Sequence, residues 1–142
     1  MGGAIRRPTR SNGWSAPAPS WVAGGANIGL LTAASVVGPS GAAHAVEVAP
    51  ATAAMLRGNV ARDPELRTVV SELALAEQEG DISFARSSRL GYQLLRPVET
   101  GMTITVRGTT LDTLTTTMEC VDLVKLGLEG AEMRTLQGGR RC

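Results

Sequence analysis

Two glutamates, Glu129 and Glu132, close the segment Val121-Asp122-Leu123-Val124-Lys125-Leu126-Gly127-Leu128-Glu129-Gly130-Ala131-Glu132. The apolar run Val121–Leu126 reads as a strand, Gly127–Gly130 as a tight turn, and Glu132 falls where a helix begins. Carboxylates at the carboxyl end of a strand stand where open α/β sheets hold their ligands. A carboxylate so placed can take a proton from a reacting hydroxyl. A second group lies near the start of the chain, where Gly24-Gly25-Ala26-Asn27-Ile28-Gly29 follows the short apolar stretch Trp21–Ala23. Glycines after a strand let backbone approach a ligand, and the helix behind them offers free N–H groups. The third is Glu47, eighteen residues beyond Gly29 at the end of a second apolar run. A carboxylate there accepts hydrogen bonds from both hydroxyls of a ribose. Plainer readings exist for each: a simple turn, a solvated strand end, and a first-turn acid favoured by the helix dipole. The glycine turn also departs from the dinucleotide fingerprint, because Ala26 occupies its third position.

The elements that must position these groups alternate. Trp21–Ala23 is a short strand, Leu30–Val37 a helix stopped by Gly38-Pro39, and Ala42–Glu47 a buried parallel strand. Pro50 suits the first turn of a helix running to about Ala61, with Ala54, Leu56 and Val60 among its apolar positions. Leu66–Val70 is the next strand, followed by Leu73-Ala74-Leu75. Gly80-Asp81 marks a turn, Ile82–Phe84 a short strand, and Arg86–Glu99 a long surface loop. Met102–Val106 alternates as a strand with one wet face. Asp112 is placed to cap a helix reaching about Met118. Val121–Leu126 reads as a buried strand, and Ala131–Leu136 as a helix closed by Gly138-Gly139. This order implies an α/β fold with a mostly parallel sheet. Residues 1–20 are rich in Gly, Pro, Ser and Arg and read as a disordered leader, leaving 21–142 as the domain.

The chain has 142 residues and a net charge of +1. That charge gives no field for attracting nucleic acid or an anionic membrane. Aromatics are 3% of residues, too few for base stacking on exposed rings. With two cysteines, Cys120 and Cys142, and the single His44, neither a metal site nor a histidine triad is expected. No apolar run is long enough to span a bilayer. An export signal built on Arg6-Arg7, Ile28–Val37 and Ala43-His44-Ala45 is interrupted by Pro8, Asn27, Gly38 and Pro39, so a cytoplasmic location is expected.

Taken together and in order, the motifs resemble the FkbM-type family of S-adenosylmethionine-dependent methyltransferases. That family's Asp-x-Gly-Ala-Asn-x-Gly turn corresponds to Ala23-Gly24-Gly25-Ala26-Asn27-Ile28-Gly29, and its Gly-Pro-x-Gly to Gly38-Pro39-Ser40-Gly41. Phe-Glu-Pro-x-Pro corresponds to Val46-Glu47-Val48-Ala49-Pro50, and Leu-x-x-Asn to Leu56-Arg57-Gly58-Asn59. Ala74-Leu75, Gly80 and Thr110-Leu111-Asp112 follow in place. Lys-x-Asp-x-Glu-Gly-x-Glu then corresponds to Lys125-Leu126-Gly127-Leu128-Glu129-Gly130-Ala131-Glu132. The resemblance implies a Rossmann-like class I methyltransferase sheet and methylation of a small-molecule or sugar hydroxyl. It places Gly25, Ala26, Asn27 and Gly29 at the methionine end of S-adenosyl-L-methionine, Glu47 at the ribose, and Ala74 and Leu75 near the adenine. Glu129 and Glu132 are then the candidate bases at the mouth of the site.

Two carboxylates of the family pattern are replaced. Ala23 stands where an aspartate normally fixes the glycine turn, and Gly127 where one would face the transferred methyl group. Transfer is therefore expected to be weak or absent, the other outcome being a non-catalytic Rossmann-like remnant. Relatives continue past the Glu-Gly-x-Glu helix with strands that finish the sheet, so this chain is expected to be a fragment. Its Val121–Leu126 strand would then form an open edge, prone to self-association. A nicotinamide-dependent oxidoreductase is a further reading, disfavoured by the imperfect fingerprint and the late glutamate motif.

Overall fold

Alanine and valine dominate the segments that become the central sheet, and their small side chains let strands and helix pack closely. The computed structural model describes residues 19–25, 40–65, 67–87, 91–94, 103–118 and 121–141. Its first sheet contains β1 (Ser20–Gly24), β2 (Ala42–Val46), β3 (Thr68–Ser71) and β8 (Leu123–Leu126), in the order β3-β2-β1-β8. All three pairings are parallel. The chain moves from β1 to β2 and β3 on one side, and β8 lies on the other. The strand order therefore reverses at β1, and a crevice opens outside the carboxyl ends of β1 and β8.

A helix, α1 (Pro50–Val60), connects β2 to β3 with proline in its first turn. Its inward stripe is Ala53 and Leu56, with Val60 packed alongside, and Leu56 meets Ala23, Ala43 and Ala45 on one sheet face. Ala54 faces out instead, since it falls off this stripe. Val22 and Val46 point to the other face, where they join Leu75 and Leu111 in a second core cluster. The tripeptide Ala43-His44-Ala45, a candidate cleavage site by sequence, lies inside β2 between two other strands.

The second sheet differs from the expected parallel alternation. It has the order β4-β7-β5-β6, with β4 (Ala74–Leu75), β5 (Gly80–Ser87), β6 (Gly91–Leu94) and β7 (Thr103–Thr109). Only β4 and β7 run parallel; β5 is antiparallel to both β7 and β6. Gly80-Asp81 thus opens a strand rather than a turn, and part of the presumed 86–99 loop is β6. The pattern for β5 was present, with Asp81 and Ser83 exposed on one face and Ile82 and Phe84 half-buried on the other. On β7 the alternation predicts the wet face correctly.

Two short helices complete the described fold. In α2 (Leu111–Leu114) the cap is Thr110, whose Oγ1 accepts from the Thr113 N–H at 3.1 Å. Asp112 is two residues too far along to cap; its carboxylate accepts the N–H groups of Arg141 and Arg140 at 2.8 and 3.2 Å. These contacts, the Arg141 N–H foremost, hold Asp112 below the ordinary carboxylate range. The last helix, α3 (Glu132–Gln137), is anchored by the buried Thr135, whose hydroxyl donates to the Leu75 carbonyl at 3.1 Å. The β8 strand is not buried as expected: among the described residues it is an edge, with Leu123 and Lys125 exposed on one face. The predicted helix 30–37, Cys120, Cys142 and the leader through residue 18 lie outside the described residues.

Gly58 sits in exposed α1 with nothing near a Cβ added there. Substitution with alanine should therefore stabilise the fold by about 0.5–1 kcal/mol, through helix propensity and unfolded-chain entropy. Urea unfolding checks this; a lower midpoint would mean that the outward face of α1 is covered.

Candidate active site

The turns that follow β1 and β8 cross at close range. Gly25 adopts φ 61°, and a Cβ there would overlap the Gly127 carbonyl, so only glycine fits. The joint is closed by backbone bonds: the Gly127 N–H donates to the Gly24 carbonyl at 3.1 Å, and the Gly25 N–H to the Val46 carbonyl at 3.0 Å. Beside it opens a cleft of about 460 Å³, a volume suited to a small cofactor.

Of the sequence candidates, Gly25, Glu47, Ala74, Leu75 and Glu129 all line this cleft. Ala26, Asn27 and Gly29 lie outside the described residues. Glu47 is buried where β2 ends, and its Oε1 accepts from the Ala49 N–H at 3.0 Å, which fixes the carboxylate against the loop leading into α1. Ala74 and Leu75, both buried, form an apolar wall on β4.

Glu132 is placed differently from Glu129 and is not part of the cleft lining. Its Oε1 accepts from the Leu128 N–H at 2.8 Å and its Oε2 from the Gly130 N–H at 2.9 Å. Its own N–H, then those of Leu128 and Gly130, keep its carboxyl below the ordinary value of 4.5. A carboxylate stabilised in this way is a weak base at neutral pH. Its two bonds bracket Glu129, which sits at φ 51° in the left-handed region. Such a conformation costs a non-glycine residue about 1–3 kcal/mol and persists only where its neighbours impose it.

The sequence reading missed the acidic run Glu77, Glu79 and Asp81, which also lines the cleft. Its spacing of every second residue is visible in the sequence, but of the three only Asp81 enters the sequence reading, in the turn Gly80-Asp81. Glu77 pairs with Arg134 of α3 at 2.9 Å, which lowers its pKa and raises that of Arg134. Glu79 accepts from the Thr110 N–H at 2.9 Å and from the Thr109 hydroxyl at 3.1 Å. The Thr110 N–H is the main reason its carboxyl titrates below the usual range. Among the described residues, five carboxylates therefore line the cleft against one guanidinium, which is already paired. That lining favours a cationic ligand and opposes a pyrophosphate.

His44 lies apart, its Nε2 2.8 Å from the Ser71 Oγ, with burial lowering its pKa. Among the described residues no group of three or more His, Cys, Asp or Glu could hold a metal, and no helix is long and apolar enough to cross a membrane.

Ala23 and Gly127, where the family pattern carries aspartate, both adjoin this joint. Ala23 is buried on β1 opposite Lys125, and the Lys125 Nζ would stand 2.6 Å from a Cβ at Gly127. In comparisons with known proteins, a family model described as the methyltransferase FkbM domain matches residues 24–141. No curated protein and no solved structure matches.

Replacing Glu132 with alanine should release the Leu128 and Gly130 amides and speed their hydrogen exchange, leaving amides deeper in α3 unchanged. In the wild type, a depressed carboxyl pKa makes the brace fully present above pH 4.5 and lost only as pH falls through its lower folded value. Amide-exchange NMR from pH 7 downward reads both effects. Equal protection of these two amides in both proteins would contradict the bracing role.

Proposed function

The chain belongs to the FkbM methyltransferase family, and from that premise we propose that the cleft binds S-adenosylmethionine and serves methyl transfer to a small-molecule or sugar hydroxyl. The observation that carries this reading is the meeting of Gly25, Glu47 and Glu129 in one acidic cleft beside the reversal of strand order. The order β3-β2-β1 followed by a strand on the far side of β1 is half of the doubly wound arrangement, which supports a Rossmann-like class I sheet.

In this reading Glu47 accepts the ribose hydroxyls with the carboxylate oxygen not held by Ala49, and Ala74 and Leu75 flank the adenine. Backbone at Gly25, continued by Ala26, Asn27 and Gly29, receives the methionine end. When bound, the cofactor supplies a methyl group on a positively charged sulfur, already activated for in-line displacement. The protein then contributes alignment and water exclusion, which provide much of the rate in such a transfer. The carboxylates of the lining suit both the sulfonium and the amino group. Glu129 is the group we assign to accept the hydroxyl proton, with Glu132 holding it in place. With Ala23 and Gly127 in place of two acids, we expect binding to outlast catalysis.

Isothermal titration calorimetry with S-adenosylmethionine, S-adenosylhomocysteine and NADH tests the reading. Heat is expected with the first two and none with NADH. A folded sample that is silent to both S-adenosyl ligands overturns cofactor binding and leaves the non-catalytic remnant; tight NADH binding alone would favour the oxidoreductase. Glu47→Gln keeps the Ala49 contact but loses the charge. It should weaken S-adenosylhomocysteine binding by about tenfold, the order expected for hydrogen bonds to a charged group. Unchanged affinity would remove Glu47 from the ribose site.

A further inference from the structure

Lys125 is the one basic side chain that reaches from the late motif to the glycine turn among the described residues. In the parallel register of β1 and β8 it stands opposite Ala23. Its stem curls over Gly127: a Cβ at that position would lie 2.6 Å from Nζ and 3.4 Å from Cε. The ammonium then donates to the Gly25 carbonyl at 3.0 Å. A single side chain rooted in β8 thus ties the turn after β8 to the turn after β1, and both turns line the cleft. Backbone bonds hold the Gly25 N–H and the Gly24 carbonyl, and the ammonium adds a restraint on the Gly25 carbonyl, on a residue type whose backbone moves easily.

We propose that Lys125 is a positioning residue, whose ammonium fixes the Gly25 carbonyl and with it the cleft wall that receives the amino-acid end of an S-adenosyl ligand. The proposal rests on the cofactor reading above and assigns to this lysine the orienting work that the missing acids leave undone. Both positions where the family pattern carries aspartate adjoin it, one as its register partner and one beneath its stem. With alanine and glycine there, neither position offers an acid, and the ammonium turns to the carbonyl. An aspartate placed at Gly127 would start beside Nζ and draw it into an ion pair, so restoring that acid alone would cost the turn its present tie.

Lys125→Met keeps most of the apolar stem and removes the ammonium. Because Lys125 is exposed, its thermal unfolding midpoint should move by no more than about 2 °C. Its affinity for S-adenosylhomocysteine should fall about three- to tenfold. Lys125→Arg, which still offers a cationic donor, should retain most of the binding. In the ligand-free protein, the Gly25 amide should exchange faster in Lys125→Met than in the wild type. Unchanged affinity in Lys125→Met overturns the proposal, as does a loss of affinity that merely tracks a large drop in unfolding midpoint. If the wild type binds no S-adenosyl ligand, the cofactor reading fails on its own. The Gly25 exchange rate then decides whether the lysine ties the turn: faster exchange in Lys125→Met upholds the tie, and equal rates overturn it.

Discussion

The crossing of two backbones at Gly25 and Gly127 is the constraint on which the rest of the site depends. No side chain can stand at Gly25, because a Cβ would meet the Gly127 carbonyl. That closeness is possible because β1 and β8 are neighbouring parallel strands ending at the same level, and β1 ends in the small residues Ala23 and Gly24. Once the two turns touch, the ends of β2 and β4 fall around them. Glu47, Ala74, Leu75 and Glu129, from well-separated parts of the chain, then come to line one cleft.

The charge of that cleft is distributed by function rather than by count. Glu77 is neutralised by Arg134, and Glu79 is occupied by the cap region of α2. Glu132 is spent on the loop that carries Glu129. Glu77 and Glu79 are thus engaged within the wall, Glu132 works from outside the lining, and Glu47, Asp81 and Glu129 are the remaining lining carboxylates. A chain of net charge +1 can thus carry a locally acidic cleft.

Much of the parallel sheet was legible before any coordinates. Short apolar runs bounded by glycine and proline located β1, β2 and β3, and Pro50 marked the start of α1, because those signals are local. The second sheet was not legible to the same degree. Gly80 looks like a turn in isolation, and it opens a strand only because β7 lies alongside it. The pairing of β5 with β6 likewise depends on a partner that composition does not announce. At the site, the ordered glycine, Glu47 and late-glutamate motifs named residues of which Gly25, Glu47 and Glu129 come to one cleft. The different employment of Glu129 and Glu132 was hidden, since it turns on which carboxylate the Leu128 and Gly130 amides reach. The tie from Lys125 to Gly25 spans a hundred residues and follows from strand register alone.

Mapping backbone amide shifts during titration with S-adenosylhomocysteine tests the central claim most directly. The account predicts saturable shifts concentrated at Gly25, Glu47 to Ala49, Ala74 to Ala76 and Gly127 to Glu129. Saturation with the largest shifts on β5, β6 or the outer edge of β3, or no shifts at all in a folded sample, would contradict it.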